Sequence, residues 1–300
     1  MTLNFPCAIN SMADGYPMTE GKLICYTLDL EHDYAGLAPS EEYEAFSHAG
    51  IREKLPDIIR SYGLKLTVFA TGKVLVEQKE TVEFFRGLGA EIELHGHDHV
   101  MVRPDLAGEL HKGKEAYRSC FGRDPQGYRS PGGVISPLLL RSLAAEGIRY
   151  DSSIIPSYRW GMYKNLKSPL HPYRDPDASI LELPISVVPR VRVPIATSYI
   201  RLFGLLPFKS LCTLFGTPSP VIYLFHLVDL VPTRMRKKLS PFWRGIYAKG
   251  RKKGLDVFAG SVKYFHDRGF QPAYMSRLYS LYSRIQESSK ENNPPDDQGS

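Results

Sequence analysis

LICYTLDLEHD, residues 23–33, passes from an unbroken apolar run into three acids, Asp29, Glu31 and Asp33. Leu23 to Leu28 has the make-up of a strand buried on both faces, the kind found in parallel sheets. Asp29 follows it directly, which places an ionisable group where the strand ends. The pattern recurs downstream. LTVFA (66–70), Glu91 to Leu94, Gly127 to Arg129, Arg149 to Asp151, Ile180 to Leu183 and VIYLF (221–225) all read as strands. Between them, Glu41 to Tyr62, Lys73 to Leu88, Leu106 to Cys120, Pro137 to Glu146 and Leu255 to Asp267 have helical spacing.

Alternating strands and helices predict parallel βα units. Asp29, His95, Arg129, Asp151 and His226 each fall at or just beyond the C-terminal end of an expected strand. In a parallel barrel those ends converge on one face, so residues far apart in sequence can share a pocket. The expected fold is therefore α/β, a distorted parallel barrel with its site at the C-terminal ends of the strands.

Within EIELHGHDH (91–99), His95 and His99 are four residues apart, a spacing that lets two imidazoles chelate one divalent ion. His97 lies between them and is expected to point elsewhere. A carboxylate at a strand end is costly to bury unless it meets a cation. The acidic cluster Asp29, Glu31 and Asp33 therefore points to a cation shared with the histidines. The alternative is that these acids cap the next helix and face solvent, which suits Asp33 better than Asp29, directly after the apolar strand.

Taken in order, TLDLEHD (27–33), ELHGHDH (93–99), YRSPGG (128–133), YDSS (150–153) and LFHLVD (224–229) resemble the motifs of the polysaccharide deacetylase superfamily, carbohydrate esterase family four, in its peptidoglycan-deacetylase-like branch. The resemblance implies a (β/α)7-type barrel and a metal-dependent hydrolase that removes an N-acyl group, acetyl or formyl, from a sugar. Asp29 matches the catalytic base, His95 and His99 the metal pair, Arg129 the groove arginine that orients Asp29, and His226 the general acid. Asp151 matches a reduced fourth motif and joins the catalytic set. The third ligand is Glu31 or Asp33, because Leu30 stands where many members have a second acid. Gly96 replaces the Ser or Thr expected between the histidine pair. Tyr128, Pro131 and Trp160 are expected to touch substrate. The implied cofactor is a divalent metal, Zn²⁺ first, with Co²⁺, Ni²⁺, Mn²⁺ or Fe²⁺ as alternatives. A rival reading is an inactive carbohydrate-binding member of the same fold.

The chain has 300 residues, 43% of them apolar and 23% charged, which suits a globular protein with a substantial core. The expected layout is an N-terminal extension (1–21), a catalytic domain (22–285) and a disordered polar tail (286–300). Cys7, Cys25, Cys120 and Cys212 form no CxxC pair, as in a reduced compartment. The N-terminus has no signal-peptide pattern, and the expected location is cytoplasmic. The net charge of +6 is uneven, with nine basic residues between Arg234 and Lys253. That run suggests a solvated face or a surface for anionic lipid. Nucleic acid is not an expected partner, because it would not explain acids and histidines recurring at strand ends. YIRLFGLLPFKSLCTLF (199–215) reads either as a buried helix or as an interfacial surface at the inner face of a membrane. A lipid-linked or cell-envelope glycan precursor is the expected substrate, and the sequence leaves the oligomeric state open.

Overall fold

The computed structural model describes residues 21–32, 44–99, 106–234, 237, 239, 241 and 254–292. Asp33, most of the extension at 1–21, most of the basic run from 234 to 253 and the tail from 293 lie outside the described residues.

β1 (Leu23–Leu30) is buried along its whole length. Because side chains alternate across a strand, Ile24, Tyr26, Leu28 and Leu30 join one apolar cluster while Leu23 and Cys25 join another. The first cluster lies between sheet and helices, and the second fills the inside of the curled sheet. Thr27 and Asp29 continue the inner row upward.

The sheet runs through β2 (Leu66–Ala70), β3 (Glu91–Leu94), β4 (Gly127–Tyr128), β5 (Tyr150–Asp151), β9 (Leu181–Glu182) and β12 (Val221–His226), all parallel, in the order β12-β1-β2-β3-β4-β5-β9. β8 (Tyr173–Arg174) extends it antiparallel beyond β9. Between β9 and β12 the ring is joined by Ser186 N–H to the Ile222 carbonyl (3.0 Å) and Leu224 N–H to the Ile195 carbonyl (3.2 Å). This is the expected barrel of seven parallel strands, distorted where single bonds replace a ladder.

Helices α1 (Leu55–Ser61), α2 (Gly72–Glu77), α3 (Lys79–Gly87), α4 (Leu106–Phe121), α5 (Pro137–Ala145), α6 (Thr197–Phe203), α7 (Leu205–Phe215), α8 (Leu227–Leu230), α9 (Gly254–His266) and α10 (Met275–Asn292) complete the chain. Several expected helices are broken. Lys73 to Leu88 splits at Gln78, which leaves helical geometry although no Gly or Pro marks the place. Tyr199 to Phe215 splits at Gly204, whose φ of 98° only glycine adopts easily. In the 41–62 segment, a π turn at Gly50–Lys54 precedes α1. Pro56 near the start of α1 has no N–H to donate, which explains the irregular entry. The expected disordered tail begins too early, since α10 runs to Asn292.

β13 (Gln271–Pro272) pairs with β1, and α10 then plugs the N-terminal end of the barrel. Met275, Leu278 and Tyr282 enter the inner cluster, and the Ser276 hydroxyl donates to Glu91 Oε2 (2.6 Å). The 156–176 excursion folds into a two-stranded hairpin, β6 (Tyr158–Arg159) with β7 (Tyr163–Lys164), and a second antiparallel pair, β10 (Val187–Val188) with β11 (Val193–Pro194), follows β9. Cys25, Cys120 and Cys212 are free thiols.

Glu93 is buried, and its Oε2 accepts from the Gln126 and Gly127 N–H groups (2.9 and 2.7 Å). Burial pushes its carboxyl up to about 8, against the pull of those two bonds. A raised folded-state value means the proton favours folding. The contribution is fully present below about pH 4.5 and is lost as pH rises through about 8. Glu93→Gln keeps an oxygen for both N–H groups. It is therefore expected to melt above wild type at pH above 8 and no higher than wild type below pH 4.5. Scanning calorimetry at the two ends checks this.

Candidate active site and metal centre

The register of the sheet brings the polar strand ends together. Asp29 lies opposite His226 across β1 and β12. His95 N–H bonds the Ala70 carbonyl and Arg129 N–H bonds the Leu94 carbonyl, so β3 and β4 deliver His95 and Arg129 side by side. Asp29, Glu31, His95, His99, Arg129 and His226 all line one cleft.

Arg129 is 1% exposed. Its Nη1 donates to Asp29 Oδ1 (2.7 Å) and Thr27 Oγ1 (2.9 Å), its Nη2 to Ser152 Oγ (2.9 Å) and its Nε to the Ser152 carbonyl (2.8 Å). Its guanidinium stacks on Phe69, 4.1 Å from the ring centroid. The pair fixes Asp29 through Oδ1 and leaves Oδ2 toward the histidines.

His95 Nδ1 lies 2.8 Å from the Arg129 carbonyl. A carbonyl only accepts, so Nδ1 carries the hydrogen and Nε2 keeps its lone pair. That Nε2 is buried and has no hydrogen-bond partner among the described residues. Glu31 Oε2 is 3.5 Å from it and 2.6 Å from His99 Nε2. Ligand atoms of Glu31, His95 and His99 all lie within 4.8 Å of one another. An orphaned imidazole lone pair, a second imidazole and a buried carboxylate converging on one point fit a divalent cation with positions left open. Burial alone would raise the Glu31 carboxyl, but His99, His226 and His95 hold it well below the usual carboxylate range.

The histidine loop needs its glycine. Gly96 has φ of 72°, a region where the expected Ser or Thr would be strained, and a Cβ on the neighbouring Gly113 would already crowd the Gly96 carbonyl. His99 has φ of 56°, and such strain in a side-chain-bearing residue typically persists at functional sites. His97 points away from the trio and packs against Gly72, where a Cβ would collide with its ring.

His226 faces the trio from β12, with Nε2 3.7 Å from Asp29 Oδ2 and 3.9 Å from Glu31 Oε1. Nδ1 lies 3.2 Å from Asp229 Oδ2, so Nδ1 is protonated and Nε2 points at the reactive side. Burial would lower the imidazole, but Glu31, Asp229 and Asp29 together push it up to about 9. Asp229 is in turn held by Arg201, whose Nη1 bonds the Asp229 carbonyl at 2.6 Å.

Residues 46–150 match the polysaccharide deacetylase family model. Over that stretch the chain is similar to a polysaccharide deacetylase domain. The matched stretch contains the histidine pair and Arg129, while Asp29, Glu31 and His226 join them through the fold. Likeness of fold extends over nearly the whole chain. A Mycobacterium smegmatis protein described as a polysaccharide deacetylase superposes with TM-score 0.55 at 19% identity, covering 91% of this chain and 94% of that one. A peptidoglycan deacetylase from Bacillus subtilis superposes with TM-score 0.50 at 12% identity, covering 91% of this chain and 98% of that one. No curated protein gives a significant match.

Some expected site residues are placed elsewhere. Asp151 is buried outside the cleft lining. It alternates to the face opposite Ser152, where its Oδ1 accepts from the Ser153 hydroxyl (2.6 Å). Tyr128 turns into the outer core and Pro131 is buried, although their neighbours Ser130, Gly132 and Gly133 line the cleft. Trp160 is 81% exposed at the hairpin tip and away from the cleft wall. From the same hairpin Arg159, Met162 and Tyr163 do reach the cleft. Sequence reading also missed Thr27 and Ser152 as partners of Arg129. Thr27 could have been found, being two residues before Asp29 and so on the same face.

Two outcomes are expected. Titration with Zn²⁺ shows about one equivalent bound. Glu31→Gln, which removes a candidate ligand, weakens it by more than the roughly 10–100-fold typical of losing an outer partner. Arg129→Met, which strands Asp29 without its cation, destabilises the fold by roughly 3–5 kcal/mol in urea unfolding.

Proposed function

We propose that the protein is a metal-dependent hydrolase that removes an acetyl or formyl group from the nitrogen of a glycan sugar. The observation that supports this best is the convergence of Asp29, the Glu31–His95–His99 trio and His226 on one cleft. Zn²⁺ is the metal that this mixed nitrogen and oxygen set suits first. Held there, the ion would supply Lewis-acid chemistry, polarising the acyl carbonyl and shifting the pKa of a water from about 15.7 towards 7.

The chain's own groups then divide the proton transfers. Asp29, fixed through Oδ1 by Arg129, takes the proton of the attacking water at Oδ2. His226 stands on the other side of Glu31 and gives the proton on Nε2 to the sugar nitrogen, which cannot leave as an amide anion. Asp229 holds the charged ring in place through Nδ1. When the charge of Glu31 is shared with a cation, its upward pull on His226 weakens, and the acid moves closer to neutrality, where proton donation is efficient. The apolar wall of Met162, Ile185, Pro194 and Leu224 provides a dry surface for the acyl group and one sugar face.

A membrane-proximal substrate is the second part of the proposal. α6 begins at the cleft, where Ser198 and Tyr199 line it, and α6–α7 carries Phe203, Leu206 and Leu214 at 51%, 76% and 72% exposure. No helix among the described residues is long and apolar enough to cross a membrane, so the contact proposed is peripheral. It favours a lipid-linked or envelope glycan precursor, handled at the inner face of the membrane by a cytoplasmic protein.

Release of acetate and formate from a panel of N-acylated sugars and lipid-linked glycans tests the first part. Activity is expected to require metal and to vanish with a chelator. Asp29→Asn and His226→Ala are each expected to lower kcat by about 10²–10⁴-fold, the range of a general base or acid. Normal turnover in His226→Ala on the best substrate would remove it from the mechanism. Flotation with anionic vesicles tests the second part. Leu206→Asp with Leu214→Asp is expected to abolish binding, and wild type that never floats would overturn it.

A further inference from the structure

Behind the cleft, two buried carboxyl groups sit side by side outside the proposed chemistry. Asp151 on β5 and Glu182 on β9 are register partners, 0% and 2% exposed. Each has one oxygen engaged. Asp151 Oδ1 accepts from the Ser153 hydroxyl (2.6 Å), whose oxygen accepts from the Ser130 N–H (2.7 Å). Glu182 Oε1 accepts from the Ile154 N–H (2.9 Å). The other two oxygens, Asp151 Oδ2 and Glu182 Oε2, are buried and find no donor among the described residues. The side chains are nevertheless within hydrogen-bonding reach of each other. Two carboxylates have no hydrogen to share, and an ionised pair at this depth would repel strongly.

We propose that Asp151 and Glu182 share one proton, and that the resulting acid–carboxylate pair positions the cleft wall formed by Ser130–Gly133 and Ser153–Ile155. One hydrogen between Oδ2 and Oε2 satisfies both orphaned oxygens at once. The remaining oxygens then tether two backbone stretches, one through Ser153 and one directly. Those stretches supply Ser130, Gly132, Gly133, Ser153 and Ile155 to the cleft. The ionisable groups around the pair agree with a single negative charge. Arg129 from β4 favours ionisation of one member, while Tyr173, across the ladder from Glu182, is pushed up first by burial and then by Glu182, Asp151 and Asp175. Burial, and for Glu182 the neighbouring Asp151, raise both carboxyls above the usual range.

This inference takes the cleft as the reactive site, as proposed above, and it is tested by readouts with and without turnover. In Glu182→Gln the amide carries a permanent hydrogen toward Asp151 while its oxygen still accepts from Ile154. The infrared difference between wild type and Glu182→Gln at neutral pH, in which the contribution of Glu93 cancels, is expected to show loss of one protonated-carboxyl C=O band. Asp151→Asn and Glu182→Gln should each melt close to wild type. The double variant sets two NH2 groups face to face and should melt well below the sum of the single effects. With N-acetylated glucosamine oligomers as the probe, Glu182→Ala is expected to lower kcat/KM about 10-fold or more at unchanged zinc content, and Glu182→Gln to restore most of it. An unchanged infrared spectrum, a double variant as stable as the singles, or a Gln variant no better than Ala would each overturn the proposal. If the protein hydrolyses no acyl sugar, the infrared and melting results still decide whether the proton is shared.

Discussion

Arg129 is a full positive charge placed where almost no water reaches, and burying such an ion without partners would be prohibitive. It is tolerated because strand ends from different parts of the chain present acceptors to it together. β1 supplies Thr27 and Asp29, and the end of β5 supplies the carbonyl and hydroxyl of Ser152. A lysine could not replace it, since a point charge cannot fill a planar fork of acceptors. The same residue also bears on the candidate metal site, because the Arg129 carbonyl fixes which nitrogen of His95 is bare. One side chain and its own backbone thus orient both Asp29 and His95.

The charges around it are arranged in a gradient of commitment. Asp29 is bound to Arg129, and Asp229 lies between Arg201 and His226. Glu31 faces His95, His99 and His226, three groups whose charge depends on protonation. It is therefore the carboxylate best placed to meet an added cation. The hydrophobic inner row of the barrel ends just beneath these charges, with Leu224 level with Thr27 and Phe69 level with Asp29.

Much of this was legible in the sequence. Apolar runs that end in Asp29, His95, Arg129 and His226 carry their own topology, since only converging strand ends bring such groups together. The sequence left Glu31 and Asp33 both open as the third ligand, and it is Glu31 that the fold brings beside His95 and His99. What was not legible depended on parity at the shortest strands. β5 has only two residues, so nothing in YDSS shows that Ser152 turns to Arg129 and Asp151 to the opposite face. Tyr128, on the two-residue β4, turns to the outer core with equally little sign in the sequence. Aromatic residues in a loop carry no signal of direction, and Tyr163 rather than Trp160 reaches the cleft. Gly96 looked like a missing hydroxyl, whereas the backbone there needs a conformation that the hydroxyl-bearing residues resist.

The helix that plugs the barrel also orders events in time. Met275 and Leu278 complete an inner core whose other members begin at Leu23, and the Met275 N–H is bonded to Thr67, 208 residues earlier. A chain emerging from the ribosome can assemble βα units in sequence, but the floor of the barrel stays open until α10 arrives. Until then the inner faces of β1, β2 and β12 lack their cover. Vectorial synthesis therefore leaves the barrel most exposed to misassembly just before α10 emerges, and closure is a long-range step of the kind that slows folding.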